Sequence, residues 1–386
     1  MSLRRIAVVV AVCWLFADAP RAVACNFHGQ FPAIVSVRDN PAGFIVRGYI
    51  ENAVGKPGNG SVDFVITETP VPHAALKGKK VVTLPQFVAI PDPKNPPRFL
   101  ILGDVTNGEP QFIHGLPETP ALAAYTAGIL KVDAKDRAKQ LRYAFDFLES
   151  EDAAASADAF LMYFQARASD LSKAAASLDA ARLRKWLSAQ EPRPMRLGLY
   201  AHLLGYCGKP EDATLLRKML DDPPASSSTS LDGVLIGFTL LDTKAGYDRL
   251  TKLVANPAQE FVAKYAALKA LRFFWEARPE VLTKKQILDG MTAVLAHPDV
   301  ADLAIDDLRK WKVWELTDTV LKYADAESHN ALPINRRAIL KFALAASVAD
   351  PKNATAAAHV AKMRKTDPER VKMMEEILKD EPASKP

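Results

Sequence analysis

The residues best equipped for chemistry are three cysteines and seven histidines, and their spacing brings neither set together. His28, His73, His114, His202, His297, His329 and His359 stand singly, with no His-x-x-x-His pair and no carboxylate-flanked cluster of the kind zinc requires. No Gly-x-Ser-x-Gly elbow, P-loop or Rossmann glycine fingerprint occurs. The reading is therefore a non-catalytic chain, with no catalytic residue, no metal ligand and no cofactor. Cys207, in "YCGKPED", lies at an expected helix end beside Gly208 and Lys209, where a neighbouring cation lowers a thiol pKa. The competing reading makes it a small buried apolar residue.

Two strings interleave aromatic and basic residues, "RFFWEARPE" from Arg272 and "DLRKWKVWEL" from Asp307. Such interleaving can form a stacking platform for a ligand. At helical spacing Trp311 and Trp314 are also neighbours, which suits the seam between two packed helices. Arg309, Lys312, Arg336 and Arg337 add positive charge to a nearly balanced chain and form the expected protein-partner surface.

The first two dozen residues have the layout of an export signal: Arg4 and Arg5, an apolar run from Ile6 to Phe16, then small residues to Ala24. That run falls short of the roughly 20 residues needed to span a bilayer, so no transmembrane anchor is expected after processing. Cleavage between Ala24 and Cys25 is expected, with residues 1–24 as the signal peptide. This places the protein outside the cytoplasm, secreted or periplasmic. A lipid anchor on Cys25 would call for a large aliphatic residue where Ala22 stands, so free secretion is the reading. Loss of three basic residues against one acidic one lowers the net charge from +5 to +3, too little for a nucleic-acid partner. A disulfide between Cys25 and Cys207 is open in an oxidising compartment if the two Cα atoms approach within about 7 Å.

The elements that must carry these residues change character near residue 120. Residues 25–120 read as a β-domain, with strands in "AIVSV", "GFIVRGYIENA", "SVDFVITET", "KKVVTLPQFVAI" and "RFLILGDV", separated by breakers such as "GKPGNG" and "PDPKNPP". Residues 121–133 read as a linker or helix, with "HGLPETP" before them as linker. From 134 to 379 small residues recur on apolar helices at Ala159, Ala201, Gly233, Ala266, Ala304 and Ala338. Each is followed by a break and a second amphipathic helix, which is the pattern of an α-solenoid. Residues 380–386 read as a disordered tail.

The strings "FIVRGYIENA", "LKGKKVVTL" and "RFLILGDVTNGEPQFI", after a Cys at the expected mature start, resemble the OB-type barrel of netrin-like modules and tissue inhibitors of metalloproteinases. That resemblance implies a small OB-like barrel, and a role for the Cys25 amine and carbonyl in chelating a protease's zinc. The helical strings "RLGLYAHLLGYCGKPEDATLLRKML", "YAALKALRFFWEARPE" and "ADLAIDDLRKWKVWELTD" resemble HEAT repeats. The whole layout is similar to a family of uncharacterised secreted bacterial HEAT-repeat proteins, a resemblance that implies fold and compartment and no activity. The fold class expected is multidomain and mainly α, an OB-like β-domain followed by a HEAT-like solenoid. The expected function is an exported interaction scaffold with a protein partner, and the alternative is a metalloprotease-inhibitor-like module acting through Cys25.

Overall fold

The computed structural model describes residues 32–191, 193–222 and 230–381. The described chain is mainly helical, with 18 α-helices and one small antiparallel five-stranded sheet near its N-terminus. It divides into two compact units, one ending at Met162 and the other beginning at Tyr163. The unit that holds the sheet thus runs past the composition change at residue 120.

In the first unit α1 (Ile34–Asp39) precedes β1 (Gly43–Lys56), β2 (Asn59–Val71), β3 (Val81–Leu84), β4 (Arg98–Thr106) and β5 (Glu109–Pro117). Helices α2 (Pro120–Ile129), α3 (Arg137–Phe145) and α4 (Ala153–Phe164) follow. The sheet order is β3-β2-β1-β4-β5, antiparallel throughout. Phe44, Val46 and Ile50 of β1 share one core with Phe64 of β2 and with Phe99 and Ile101 of β4. Ile45, Leu100 and Leu102 point to the opposite face and are buried as well, where α1 packs on β1 and β4. Burial on both faces accounts for the unbroken apolar run in β4.

Three segments differ from the sequence reading, the first being "KKVVTLPQFVAI", which forms a strand only over Val81–Leu84. "AIVSV" forms α1, not a strand: the buried Asp158 carboxylate accepts from the Ile34 N–H at 2.8 Å, and Arg38 donates to Val132 O at 2.8 Å. The first bond satisfies an N–H of the opening turn of α1 and the second ties its last turn to the chain at Val132, and together they outweigh the β-branched composition. "HGLPETP" is not simply a linker, because His114 to Pro117 belong to β5. Asn107 and Gly108, both at positive φ, make the two-residue turn joining it to β4.

Thr119 and Asp152 start the next two helices together. Thr119 accepts from the Leu122 N–H to cap α2, Asp152 accepts from the Ala155 N–H at the start of α4, and the Thr119 hydroxyl donates to Asp152 at 2.5 Å.

The second unit is helical: α5 (Ala168–Ala175), α6 (Ala180–Leu187), α7 (Pro194–Cys207), α8 (Ala213–Asp221), α9 (Leu231–Leu241), α10 (Thr243–Ala255), α11 (Phe261–Glu276) and α12 (Lys284–Leu295). It continues through α13 (Ala301–Lys310), α14 (Thr317–Leu321), α15 (Glu327–Asn330), α16 (Pro333–Ala349), α17 (Ala354–Thr366) and α18 (Pro368–Asp380). Alternate helices pack side by side: α7 on α9, α9 on α11, α10 on α12 and α13 on α16. Ala201 and Gly233 of the small residues noted in the sequence lie at the α7–α9 seam. A Cβ on Gly233 would come within 2.2 Å of Gly198 O, and one on Gly237 within 2.1 Å of Ala201 O, so α7 and α9 touch backbone to backbone. Ala159, Ala201, Ala266 and Ala304 are buried, and Ala338 lines a groove.

Helix α18 reaches Asp380, and Glu381 beyond it is ion-paired, so order extends past residue 379 into the expected tail. No helix of the described residues is long and apolar enough to cross a membrane.

Candidate functional site

Ala24, Cys25 and the stretch expected to be an export signal lie outside the described residues, as does His28. The Cys25 end of the disulfide left open above therefore lies there too. Cys207 ends α7 half-buried, its thiol donating to Leu203 O at 3.3 Å. Burial pushes that thiol up to about 11, so proximity to Lys209 does not activate it. The Arg184 guanidinium close by is taken up by Asp212 at 2.6 Å.

Three of the histidines bond to the backbone. His73 accepts from the Ala75 N–H and caps a turn. The His297 Nε2 bonds Val254 O at 2.7 Å, and the His329 Nε2 bonds Leu295 O at 2.8 Å. Both carbonyls sit in the last turn of a helix, α10 and α12, where backbone acceptors have no partner within the helix. The two bonds thus perform the same task at successive positions of the chain. Among the described residues no three His, Cys, Asp or Glu side chains gather closely enough to hold a metal ion.

The four cations of the expected partner surface do not form one surface. Arg309 is buried: its guanidinium holds Asp306 and Glu381, each at 2.7 Å. Lys310 joins at 2.7 Å from Asp306, and Lys341 pairs with Glu381. Burial would raise the Asp306 carboxyl, but the hydrogen bonds from Lys310 and Arg309 hold it at about 2. Arg309 is therefore a strut between α13 and the end of α18, not an exposed contact. Lys312 is exposed at a positive-φ turn after α13. Arg336 donates to Asn330 O, while Arg337 is exposed and points to a different groove.

The aromatic strings fill seams. Trp311 stacks on Trp275 at 4.6 Å and donates to the Glu276 carboxylate at 3.3 Å, and Trp314 meets Phe342 edge-on at 5.3 Å.

One open groove, of about 370 Å³, lies among α13, α16 and α18. Ile334, Met373 and Ile377 line it with 56 %, 53 % and 41 % of their surface exposed, well beyond ordinary burial for such side chains. Arg337 stands beside them on one helix and Asp302 on another. Burial raises the Asp302 carboxyl above its ordinary range. Sequence reasoning reached Arg337 but missed the apolar residues, because Ile334 and Met373 show a helical period and α18 was not placed beside α16. No protein-family model, curated protein or solved structure matches this chain.

Proposed function

We propose that this chain is an exported, non-catalytic interaction scaffold whose helical unit is a HEAT-like α-solenoid and whose sheet is an OB-like module. The observation that carries the reading is the apolar groove of Ile334, Met373 and Ile377, left uncovered beside Arg337 and Asp302. Exposed apolar patches with polar rims mark interaction sites in proteins of this size. A groove between helices accepts the apolar face of an amphipathic helix, with the flanking charges fixing its direction.

The solenoid reading draws support from side-chain pairs about 35 residues apart. Lys264 pairs with Asp299 and Arg272 with Asp307, both at a separation of 35, and Asn335 donates to Pro298 O at 37. Stacked repeats bring like positions of neighbouring units together, which produces such a constant separation. The OB-like reading draws support from the strand order, which leaves β3 and β5 as the two edges of a five-stranded sheet.

The test is capture of partners by the full-length exported protein and by a Met373→Glu, Ile377→Glu variant. Both side chains are exposed, so circular dichroism should be unchanged. Loss of the specific partners from the variant is the expected result; an identical partner set from both proteins would overturn the assignment to this groove.

A further inference from the structure

A second groove, of about 1010 Å³, opens in the helical unit where α5, α9 and α11 line it. Arg167 and Lys173 come from α5, Lys269 and Arg272 from α11, and Arg278 from the segment after it. Against these five cations the lining carries two carboxylates, Asp232 and Glu276. Most of the lining charges are already engaged: Lys269 with Asp232 at 2.7 Å, Arg272 with Asp307 at 2.7 Å and Arg278 with Glu280, while Glu276 accepts from Trp311. Arg167 and Lys173 are exposed and have no ion pair among the described residues. The groove therefore holds a surplus of positive charge on its α5 side. Phe273 and Ile236 give its lining an apolar patch, and Ser169 and Ser172 supply hydroxyls.

We infer that this groove binds an extended acidic peptide. Arg167 and Lys173 stand without an ion pair at one side of a long groove whose other three cations are already held, so carboxylates spaced along an extended chain can reach both while the rest of the chain crosses the groove. An apolar side chain of the peptide would rest against Phe273, itself held edge-on to the His202 ring at 4.8 Å. The two lining carboxylates decide between polymers: they can accept from peptide N–H groups, but they repel a phosphodiester backbone, which has no such donors. This site is separate from the α13, α16 and α18 groove and does not depend on it.

The test uses the full-length protein and a fluorescein-labelled peptide of about twelve residues, rich in Glu and Asp with Leu at intervals, long enough to cover about 40 Å when extended. Fluorescence anisotropy should show saturable binding that weakens as salt is raised, and no binding by the matching Gln and Asn peptide. Arg167→Glu with Lys173→Glu should weaken binding by about tenfold or more, since both side chains are exposed and their reversal leaves the core intact. Met373→Glu with Ile377→Glu should bind the acidic peptide as the unaltered protein does. Failure of the acidic peptide to bind at low salt, equal binding by the charge-reversed variant, or tighter binding of a single-stranded oligonucleotide of similar charge would each overturn the proposal.

Discussion

Arg272 donates from both Nε and Nη2 to the Asp307 carboxylate, at 2.9 and 2.7 Å to the same oxygen, across 35 residues of chain from α11 to α13. Asp307 is buried and Arg272 is about one-third exposed. Burial alone would lower the guanidinium pKa, and Asp307 more than restores it, while burial pushes the Asp307 carboxyl up in spite of Arg272. Removing Arg272 strands a buried carboxylate, while removing Asp307 leaves a partly exposed guanidinium without its partner. Asp307→Ala should cost about 2 kcal/mol or more, and the double variant with Arg272→Ala should cost less than the two single changes added together. Urea unfolding of the four proteins measures this coupling; additive losses would show that the pair does not join these helices.

The contact of α7 with α9 leaves no space for a methyl group. Gly237→Ala would bring a carbon against Ala201 O, and Gly233→Ala one against Gly198 O. Because the obstacle is backbone, the helices themselves must separate. A loss of about 2–3 kcal/mol is expected for either change, against the small gain in helix propensity that alanine brings. A melting temperature equal to or above that of the unaltered protein would show that these helices are not in direct contact.

His202 ties stability to pH. Burial lowers its pKa from 6.5 to about 4, with Asp232 opposing and Arg278 assisting, and its Nε2 lies buried between the Tyr206 and Phe273 rings. Between those two values the unfolded chain binds a proton that the folded one refuses. Stability is thus full above pH 6.5 and falls as pH drops, by about 2 kcal/mol at pH 5 and about 3 kcal/mol at pH 4. His114 and His359, also lowered by burial, add to the same slope. Comparing denaturant midpoints at pH 7.5 and 5 for the unaltered protein and His202→Leu isolates the His202 share; an identical pH dependence in both would show that this imidazole is already solvated.

Asp158 holds the first helix in place. Its two oxygens accept from the Ile34 N–H at 2.8 Å and the Tyr125 hydroxyl at 2.6 Å, and all three groups are buried. Asp158→Ala leaves the Ile34 N–H without an acceptor and the Tyr125 hydroxyl with only the weak Met162 sulfur, and should cost about 2–4 kcal/mol. Hydrogen exchange should quicken first at the amides of α1. Unchanged protection there would mean that α1 is anchored by its apolar side chains alone.

Much of this architecture is legible in the residues themselves. The β-branched runs around Phe44, Phe64 and Ile101 mark strands, and the small residues at Ala201, Gly233 and Ala266 mark the seams, because both depend on local period and side-chain size. The failures share one cause, which is contact between distant residues. "AIVSV" is too short for a period to show, and its helix depends on Asp158, 124 residues away. In β5, Pro110, Gly115 and Pro117 look like breakers, yet an edge strand tolerates them, and the Asn107-Gly108 turn was the overlooked signal. Arg309 reads as part of a solvated charge run, but Glu381 folds over it from the far end of the chain. The apolar groove needed the same knowledge, since α16 and α18 are separate amphipathic stretches until they pack together.

The most direct test of the scaffold reading places a photoreactive p-benzoylphenylalanine at position 373 of the full-length protein, with position 348 as control. Met373 lines the groove, whereas Val348 is 81 % exposed but lies outside that lining. Irradiation in the producing culture should yield one discrete covalent adduct from position 373 and none from position 348. No adduct at 373, or the same adducts from both positions, would contradict a partner seated among α13, α16 and α18.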